Sequence, residues 1–436
     1  MVYQHITELI GNTPLLRLDP AGHGLDGVEL YAKLESHNPF GSVKDRVALA
    51  MIADDIDRVA ADGRSFIEAS SGNTAKALRV LGALHGIPLR AVTNRIRVAE
   101  VKQLLQLLGT EIVELPGLSE CPDPHAADDV SAVIAQTIGQ APDRWFHPSQ
   151  YTNERNIETH HDGTGTEIAA DLAAAGITHL DVLVGGLGTT GSTRGTATAL
   201  RKHHPALRTV GVVSDRDDFI PGIRSEREMW EVGLFRPDFY DEIVTVDSAA
   251  AIESTLALAR AFGVLAGPTS GAGYAAAHRV LADTPRPADR PLVAVLIVCD
   301  RLEPYLSYFA KRRPDLFGAA AAPAPPDLSA APTLTAAELA DLDRTGRPTV
   351  VDTRGAMAYR VGHVPGAINV RDDQLDDMFG QGVPFPRSRP VVFVCPVGAA
   401  SLRFAALAHG AGYDAFSLAG GIVAWRDAGY PLERGG

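Results

Sequence analysis

The chain has 436 residues, too many for one compact core, and at roughly 150 residues per domain it should fold as about three units. With 45% hydrophobic and 21% charged residues it has the make-up of a soluble globular protein, which argues against disorder, collagen-like repeats and residence in a membrane. Forty Lys and Arg against 53 Asp and Glu leave a formal charge of -13, with no basic run long enough to neutralise a phosphate backbone, so no nucleic-acid partner is expected.

Met-Val-Tyr-Gln-His-Ile-Thr-Glu at the start places an acidic residue where a secretory signal needs a basic patch and an apolar core. No stretch of about 18 apolar residues occurs, and the expected location is the cytoplasm. From Glu29 to about Asp300 short β-rich runs alternate with Ala/Leu-rich segments of helical period. The pattern predicts a strand over 30–34, a helix over 47–59 and strands over 65–68, 89–93, 181–184, 209–213, 242–246 and 292–298. This βαβ rhythm belongs to an α/β fold with parallel sheets covered by helices. Residues 313–332 are rich in Ala and Pro, notably Ala319-Ala320-Ala321-Ala322-Pro323-Ala324-Pro325-Pro326, and read as a semi-extended linker. A shorter β/α pattern follows, with strands over 349–352 and 391–394. The expected organisation is therefore 1–312, the linker, and 333–436, without internal repeats. The three cysteines, Cys121, Cys299 and Cys395, are too scattered for a disulfide framework or a metal knuckle, which suits a reducing cytosol.

Four segments of the first region carry the makings of a site. Lys44 stands just inside a helix start after a Pro/Gly turn, Asn38-Pro39-Phe40-Gly41-Ser42-Val43. There the positive end of the helix dipole disfavours a charged amine, and a depressed pKa suits Schiff-base chemistry. Ser70-Ser71-Gly72-Asn73-Thr74 follows a strand and opens a helix, so its backbone N–H groups can face a carboxylate. Gly185-Gly186-Leu187-Gly188-Thr189-Thr190-Gly191-Ser192 does the same with closely spaced glycines, which suits a phosphate. Gly267-Pro268-Thr269-Ser270 puts a hydroxyl at another strand-to-helix turn. Singly, each is an ordinary turn; four in one α/β unit point to a bound cofactor.

Together with Ile10-Gly11-Asn12-Thr13-Pro14-Leu15 and the run from Lys33-Leu34-Glu35 to Arg46, these motifs make residues 1 to about 310 resemble the cysteine synthase group of fold-type II pyridoxal phosphate enzymes. The resemblance implies a two-lobed fold, a homodimer and pyridoxal 5'-phosphate as cofactor. It implies that Lys44 holds the aldehyde, Asn73 contacts the ring hydroxyl, and Gly188, Thr189, Thr190, Gly191 and Ser192 bind the phosphate. Ser70, Ser71, Gly72 and Thr74, with Gln150, would receive the substrate carboxylate. Ser270 would face the pyridine nitrogen, where a neutral hydroxyl does not keep the ring protonated. The ring is then a moderate electron sink, favouring loss of the α-proton and of a β-substituent to give an aminoacrylate, with Lys44 as base. The chain departs from the usual pattern at Thr190, a glycine in most relatives, at Ser192, at Ala75-Lys76 and at Thr166. Arg224, in Ile220-Pro221-Gly222-Ile223-Arg224, resembles the arginine of relatives that accept O-phosphoserine, and a guanidinium matches phosphate bidentately.

Beyond the linker, Val350-Val351-Asp352-Thr353-Arg354, Gly362-His363-Val364-Pro365-Gly366-Ala367, Val391-Val392-Phe393-Val394-Cys395 and Leu418-Ala419-Gly420-Gly421-Ile422 make residues 333–434 resemble a rhodanese domain. Cys395 follows a buried strand and opens the loop Pro396-Val397-Gly398-Ala399-Ala400. Converging N–H groups in such a loop lower a thiol pKa and stabilise a persulfide, making Cys395 a sulfur carrier. Ala400 stands where active loops usually carry arginine, and Arg403 and Arg360 are the candidates to replace it. Cys121 and Cys299 read as structural, and no metal site is expected.

The pairing predicts β-replacement on O-acetyl- or O-phospho-L-serine, with sulfur supplied through Cys395, yielding cysteine or a related thiol amino acid. Three alternatives stand beside it. Cysteine could enter and release sulfide or persulfide to Cys395; an amine such as glutamate could replace sulfur, giving a diaminopropionate precursor; or the C-terminal module could be regulatory.

Overall fold

The computed structural model describes residues 2–94, 96–115, 130–216, 218–226, 229, 232–318, 328, 331–379 and 382–435. Cys121 and most of the Ala/Pro-rich segment lie outside the described residues. The chain forms two compact units, the first built on most of residues 1–321 and the second on residues 322–436.

The first unit contains two sheets. The larger has the strand order β1-β2-β10-β7-β8-β9, from Leu15–Arg17, Val28–Leu34, Leu292–Val298, Val182–Gly186, Arg208–Ser214 and Glu242–Val246. Only β1 runs antiparallel to its neighbour; the other pairs are parallel. Every residue of β10, Leu-Val-Ala-Val-Leu-Ile-Val, is buried, as a central strand covered on both faces requires. One face meets a core of Leu30, Val184, Val212, Val244 and Leu296, and the other packs on Leu183, Ala197, Leu200 and Val295. The smaller sheet has the order β5-β4-β3-β6, from Glu111–Glu114, Leu89–Thr93, Ser65–Ala69 and Trp145–Phe146. Its core is made by Phe66, Leu78, Leu81, Leu89 and Ala91.

Five helices place the site: α1 (Lys44–Ile52), α2 (Asn73–Leu84), α3 (Thr166–Ala174), α4 (Gly191–Arg201) and α5 (Pro268–Asp283). The strands predicted from the sequence are present, several with one or two added residues. The helix predicted over 47–59 is instead two, Lys44–Ile52 and Ile56–Ala61. Ala53, Asp54 and Asp55 turn between them, with the Asp55 N–H returning to the Ile52 carbonyl; adjacent aspartates favour such local turns over helix.

α1 is fixed by a buried charge network. Arg46 Nε and Nη2 donate to Glu35 at 2.7 and 2.9 Å, and its Nη1 and Nη2 reach Glu167 of α3 at 2.7 Å each. Lys33, wholly buried, donates to the Thr13 carbonyl at 2.6 Å and pairs with Glu167 at 2.9 Å. Arg46 lies two residues beyond Lys44, a rotation of about 200° around the helix, so the two side chains leave α1 on opposite sides.

The second unit is a five-stranded sheet of order β11-β15-β14-β12-β13, from Thr333–Leu334, Ala415–Leu418, Val391–Val394, Thr349–Asp352 and Ile368–Asn369. All its pairs are parallel. A sixth helix, α6 (Ala399–Gly410), returns after β14 and packs Phe404 against Phe393 and Phe379. No helix among the described residues is long and apolar enough to cross a membrane.

Arg46→Met should leave Glu35 buried without its cation and cost about 3–5 kcal/mol in chemical unfolding. The Glu167 carboxyl, which burial alone would raise, is held down to about 2 by the Arg46 and Lys33 contacts. Its contribution is therefore complete above 4.5, its ordinary value, and is lost as pH falls toward 2. Glu167→Gln should accordingly be destabilising at pH 7 and progressively less so between pH 5 and 3, measured by urea unfolding.

Candidate active site

In the first unit, three of the four sequence segments follow the C-terminal ends of parallel strands, the usual position of a ligand site in an α/β sheet. Gly267–Ser270, expected at a strand-to-helix turn, instead lies where one helix gives way to another, and is tied to the end of β10 by its Gly267 N–H, which donates to the Asp300 carbonyl at 3.0 Å. β2 leads through residues 35–43 to Lys44, β3 to Ser70–Thr74, β7 to Gly188–Ser192, and β10 to Cys299 and Asp300.

Lys44 is the first residue of α1. Its approach is pinned to β10 by the Val43 N–H, which donates to the Cys299 carbonyl at 2.8 Å, and by a bridge between Ser42 and Asp300. Asp45 closes the preceding turn, accepting from the Phe40 N–H at 2.6 Å and from Ser42 Oγ at 3.1 Å. The Lys44 amine has a lowered pKa because burial removes it from water, against the opposing pull of Cys299, Asp300, Glu35 and Asp45. Burial, and not the helix start alone, is thus the main cause. The Cys299 thiol beside it is pushed up to about 12 by the same burial and stays protonated at neutral pH.

Ser270, fully buried near the start of α5, accepts the Cys299 N–H on Oγ at 2.9 Å. Its own hydroxyl proton has no acceptor among the described residues, so it remains available to a ring nitrogen.

The loop that follows β3 is tightly folded. Ser70 Oγ accepts from the N–H groups of Ala75 at 3.1 Å and Gly72 at 3.4 Å, capping α2, whereas Ser71 is exposed. Thr74 Oγ1 donates to Gln150 Oε1 at 2.6 Å, and Gln150 Nε2 donates to the Ala69 carbonyl at 2.7 Å. Asn73 Nδ2 donates to Asp300 Oδ2 at 2.6 Å.

Asn156 joins this loop to the glycine loop: its Nδ2 donates to the Gln150 carbonyl at 2.8 Å and to Thr189 Oγ1 at 2.9 Å. A side chain on Gly191 would come within 2.1 Å of Asn156 Oδ1, and one on Gly188 within 2.8 Å of the Gly222 carbonyl, so both glycines are required by close approach. Thr190 caps α4 with φ at +68°, a left-handed conformation costly for a β-branched residue. This explains why glycine is the commoner choice at that position. The backbone N–H groups of Gly188 to Ser192 donate to no described residue, and the buried polar atoms Asn156 Oδ1 and Asp300 Oδ1 lack hydrogen-bond partners among the described residues. Unused N–H groups at the start of α4 fit a phosphate. With Lys44 for an aldehyde and Ser270 for a ring nitrogen, the set fits pyridoxal phosphate.

Arg224 is half-buried, its Nη2 donating to Tyr151 Oη at 2.9 Å and its guanidinium 5.0 Å from the centre of that ring. The Arg224 N–H donates to the Leu187 carbonyl at 2.9 Å, which brings its backbone beside the glycine loop and its side chain beside the residue after Gln150.

Asn156, Asp300 and Tyr305 were missed in the sequence. A usable signal existed for Asp300, an acidic residue two positions after a wholly apolar buried strand.

In the second unit, Cys395 is buried at the end of β14. Its Sγ accepts from the Gly398 N–H at 3.1 Å and from Ser401 Oγ at 3.3 Å, and Ser401 Oγ lies 2.8 Å from Ser417 Oγ. Gly398 holds the loop turn at φ +92°. A side chain on Gly421 would approach the Cys395 carbonyl to 2.2 Å, so the Gly-Gly pair lets α6's loop and the following segment close together. Arg403 and Arg360 are both exposed, Arg403 lying 5.4 Å from the Phe404 ring centre. Among the described residues no group of His, Cys, Asp and Glu could hold a metal.

Residues 6–300 match the family of pyridoxal-phosphate dependent enzymes, and residues 335–428 match the rhodanese-like domain. Cysteine synthase B of Salmonella typhimurium is 33% identical over 303 residues, which is 69% of this chain and 94% of its own. The N-(2-amino-2-carboxyethyl)-L-glutamate synthase of Cupriavidus metallidurans is 34% identical over 314 residues, 70% of this chain and 89% of its own. The crystal structure of a hydrogen sulfide-producing enzyme from Fusobacterium nucleatum aligns with a TM-score of 0.60 at 29% identity, covering 70% of this chain and 100% of its own.

Borohydride treatment of the cofactor-loaded protein should fix pyridoxal phosphate to the Lys44 peptide, read as a mass adduct, and Lys44→Ala should abolish it. An adduct on Lys76 instead would reassign the lysine. Since the neutral amine attacks the aldehyde, cofactor uptake by the stripped protein should rise with pH through a midpoint below 10.5, the ordinary lysine value.

Proposed function

Because the chain belongs to the pyridoxal-phosphate dependent enzyme family, has cysteine synthases among its relatives and carries a rhodanese-like domain, we propose that it replaces the β-substituent of an activated L-serine with sulfur delivered through Cys395. Its cofactor, pyridoxal 5'-phosphate, supplies the electron sink for the α-carbon. The observation that carries the reading is the presence, on one chain, of the desolvated Lys44 amine and of a buried Cys395 sulfur facing hydrogen-bond donors.

The residues divide the work by charge and reach. Thr74, Gln150 and the Ser70–Gly72 turn receive the substrate carboxylate, with Gln150 held by Ala69 and Asn156. Gly188 to Ser192 take the phosphate, and Ser270 donates to the ring nitrogen without protonating it. Lys44, released when the amino acid takes its place, accepts the α-proton, and the β-substituent leaves as acetate or phosphate with the bonding electrons. Arg224, beside Tyr151, favours the phosphorylated serine. A nucleophile then adds to the β-carbon and the α-carbon recovers its proton.

On the second unit, Cys395 thiolate attacks the outer sulfur of a donor such as thiosulfate, breaking the S–S bond, releasing sulfite and leaving a persulfide. Two small thiols reduce that persulfide, becoming a disulfide and liberating sulfide, the nucleophile for the first unit. Tethering the two units raises the local concentration of that sulfide. The protein works in this reading as a cytoplasmic homodimer.

A second reading is supported by the glutamate-using name of the Cupriavidus relative and by Ala400 in the Cys395 loop. Here an amine takes the place of sulfide and the rhodanese-like domain is regulatory.

In stopped-flow absorbance the first substrate is whichever of O-acetylserine, O-phosphoserine and cysteine changes the cofactor band fastest, with O-phosphoserine expected to lead and Arg224→Ala to remove its lead. Cys395→Ala should keep turnover with free sulfide and lose it with thiosulfate. Equal turnover of both proteins on thiosulfate would sink the coupled reading, and turnover with glutamate but not sulfide would establish the second.

A further inference from the structure

Asn73, the residue assigned to the cofactor's ring oxygen, is held by two groups outside any of the loops that identify the site. Its Nδ2 donates to Asp300 Oδ2 at 2.6 Å and lies 3.3 Å from Tyr305 Oη, while the Tyr305 hydroxyl donates to that same Asp300 oxygen. Seen from Nδ2 these two acceptors are adjacent, so one N–H serves both and the amide's second N–H is left over. Asp300 and Tyr305 are both buried, and Tyr305 belongs to an apolar cluster with Ile252, Tyr308 and Phe309. Asp300 is itself fixed by its backbone, whose carbonyl accepts the Gly267 N–H at 3.0 Å. The other charged groups facing it are Lys44 and Lys76.

An asparagine can turn either its oxygen or its NH2 toward a neighbour, and the two choices differ by a rotation of the amide alone. A carboxylate that already accepts from a tyrosine hydroxyl takes only donors, so it draws NH2 inward and excludes the flipped amide. We propose that Asp300, braced by Tyr305, is a positioning residue that locks Asn73 with an N–H directed at the cofactor's ring oxygen, so that the site favours the deprotonated form of that oxygen. The inference rests on the reading that Asn73 faces the ring oxygen. In the flipped amide a carbonyl would meet the ring oxygen and select its protonated form, with a different visible absorption.

The test compares the full-length cofactor-loaded protein with Asn73→Ala, Asp300→Ala and the double variant, by visible absorption of bound pyridoxal phosphate and by its dissociation constant. Asn73→Ala should lower the ratio of the long- to the short-wavelength band and weaken cofactor binding about tenfold, the scale of one hydrogen bond to a charged partner. Asp300→Ala should reproduce that band change with Asn73 still present, and the double variant should go no further than Asn73→Ala. Asp300→Leu also withdraws the carboxylate acceptor and replaces the alanine variant if that protein does not fold. Unchanged bands in the Asp300 variant beside a shifted Asn73→Ala overturn the positioning role, as does a double variant whose loss is the product of the two single losses. Unchanged bands in Asn73→Ala overturn the placement of Asn73 at the ring oxygen, a separate failure.

Discussion

The end of strand β10 is the point on which the first unit's site depends. The two residues after Val298 hold most of its parts through hydrogen bonds to both backbone and side chain. The Cys299 carbonyl takes the N–H of Val43 and so sets where Lys44 begins its helix. The Cys299 N–H occupies one side of the Ser270 hydroxyl and leaves its proton free. The Asp300 carbonyl takes the N–H of Gly267, and its carboxylate takes Asn73 and Tyr305. Because β10 is central and buried on both faces, these anchors inherit the rigidity of the sheet core, and a small displacement there would move Lys44, Ser270 and Asn73 together.

Desolvation then sets the chemistry of what β10 holds in place. Lys44 loses water and its pKa falls, even with Asp300, Glu35 and Asp45 nearby. Asp45 and Asp300 lose water too, and their carboxyls rise, Asp45 to about 6. Arg46, on the far side of α1, is handled differently: Glu35 and Glu167 surround it with carboxylate oxygens and keep it charged. One short helix thus carries a paired cation that fastens it to the fold and an amine whose pKa burial lowers. The guanidinium is intrinsically the harder of the two to deprotonate, and the carboxylates within hydrogen-bond distance of Arg46 widen that difference.

Much of this was legible in the sequence, for identifiable reasons. Strands such as Leu292–Val298 and Val391–Val394 are unbroken apolar runs bounded by turn residues, a pattern with few other readings. The loops around Lys44, Asn73 and Gly188 were recognisable because each is contiguous and performs its task largely with its own backbone. The break after Ile52 was hidden because apolar spacing continues through Ile56 and Val59, so periodicity could not register the turn at Asp54 and Asp55. The partners of Asn73 were hidden for a stronger reason. Asp300 lies 227 residues away, and its relation to Asn73 comes from strand order alone. Asn156, which joins Gln150 to Thr189, was invisible on the same grounds. The departure at Thr190 could be seen in the sequence, but its meaning needed the backbone angle.

Lys44 and Cys395, the two groups proposed to react, sit in surroundings of opposite kinds. Burial lowers the pKa of the Lys44 amine against the pull of Cys299, Asp300, Glu35 and Asp45, which shifts it toward the uncharged form that amine chemistry uses. Cys395 is fully buried, but the form of a thiol that carries sulfur is an anion, and burial alone would oppose that form. Its surroundings therefore differ in kind: the Gly398 N–H and the Ser401 hydroxyl both point at the sulfur, and Ser417 stands behind Ser401 at hydrogen-bond distance. A left-handed turn at Gly398 aims the first donor, and the side-chain-free Gly421 lets the neighbouring segment close over the loop. The loop thus compensates for desolvation with donors drawn mainly from its own backbone and α6, which is why replacing the usual arginine by Ala400 removes a cation from the rim of the loop but leaves the direct contacts to sulfur in place.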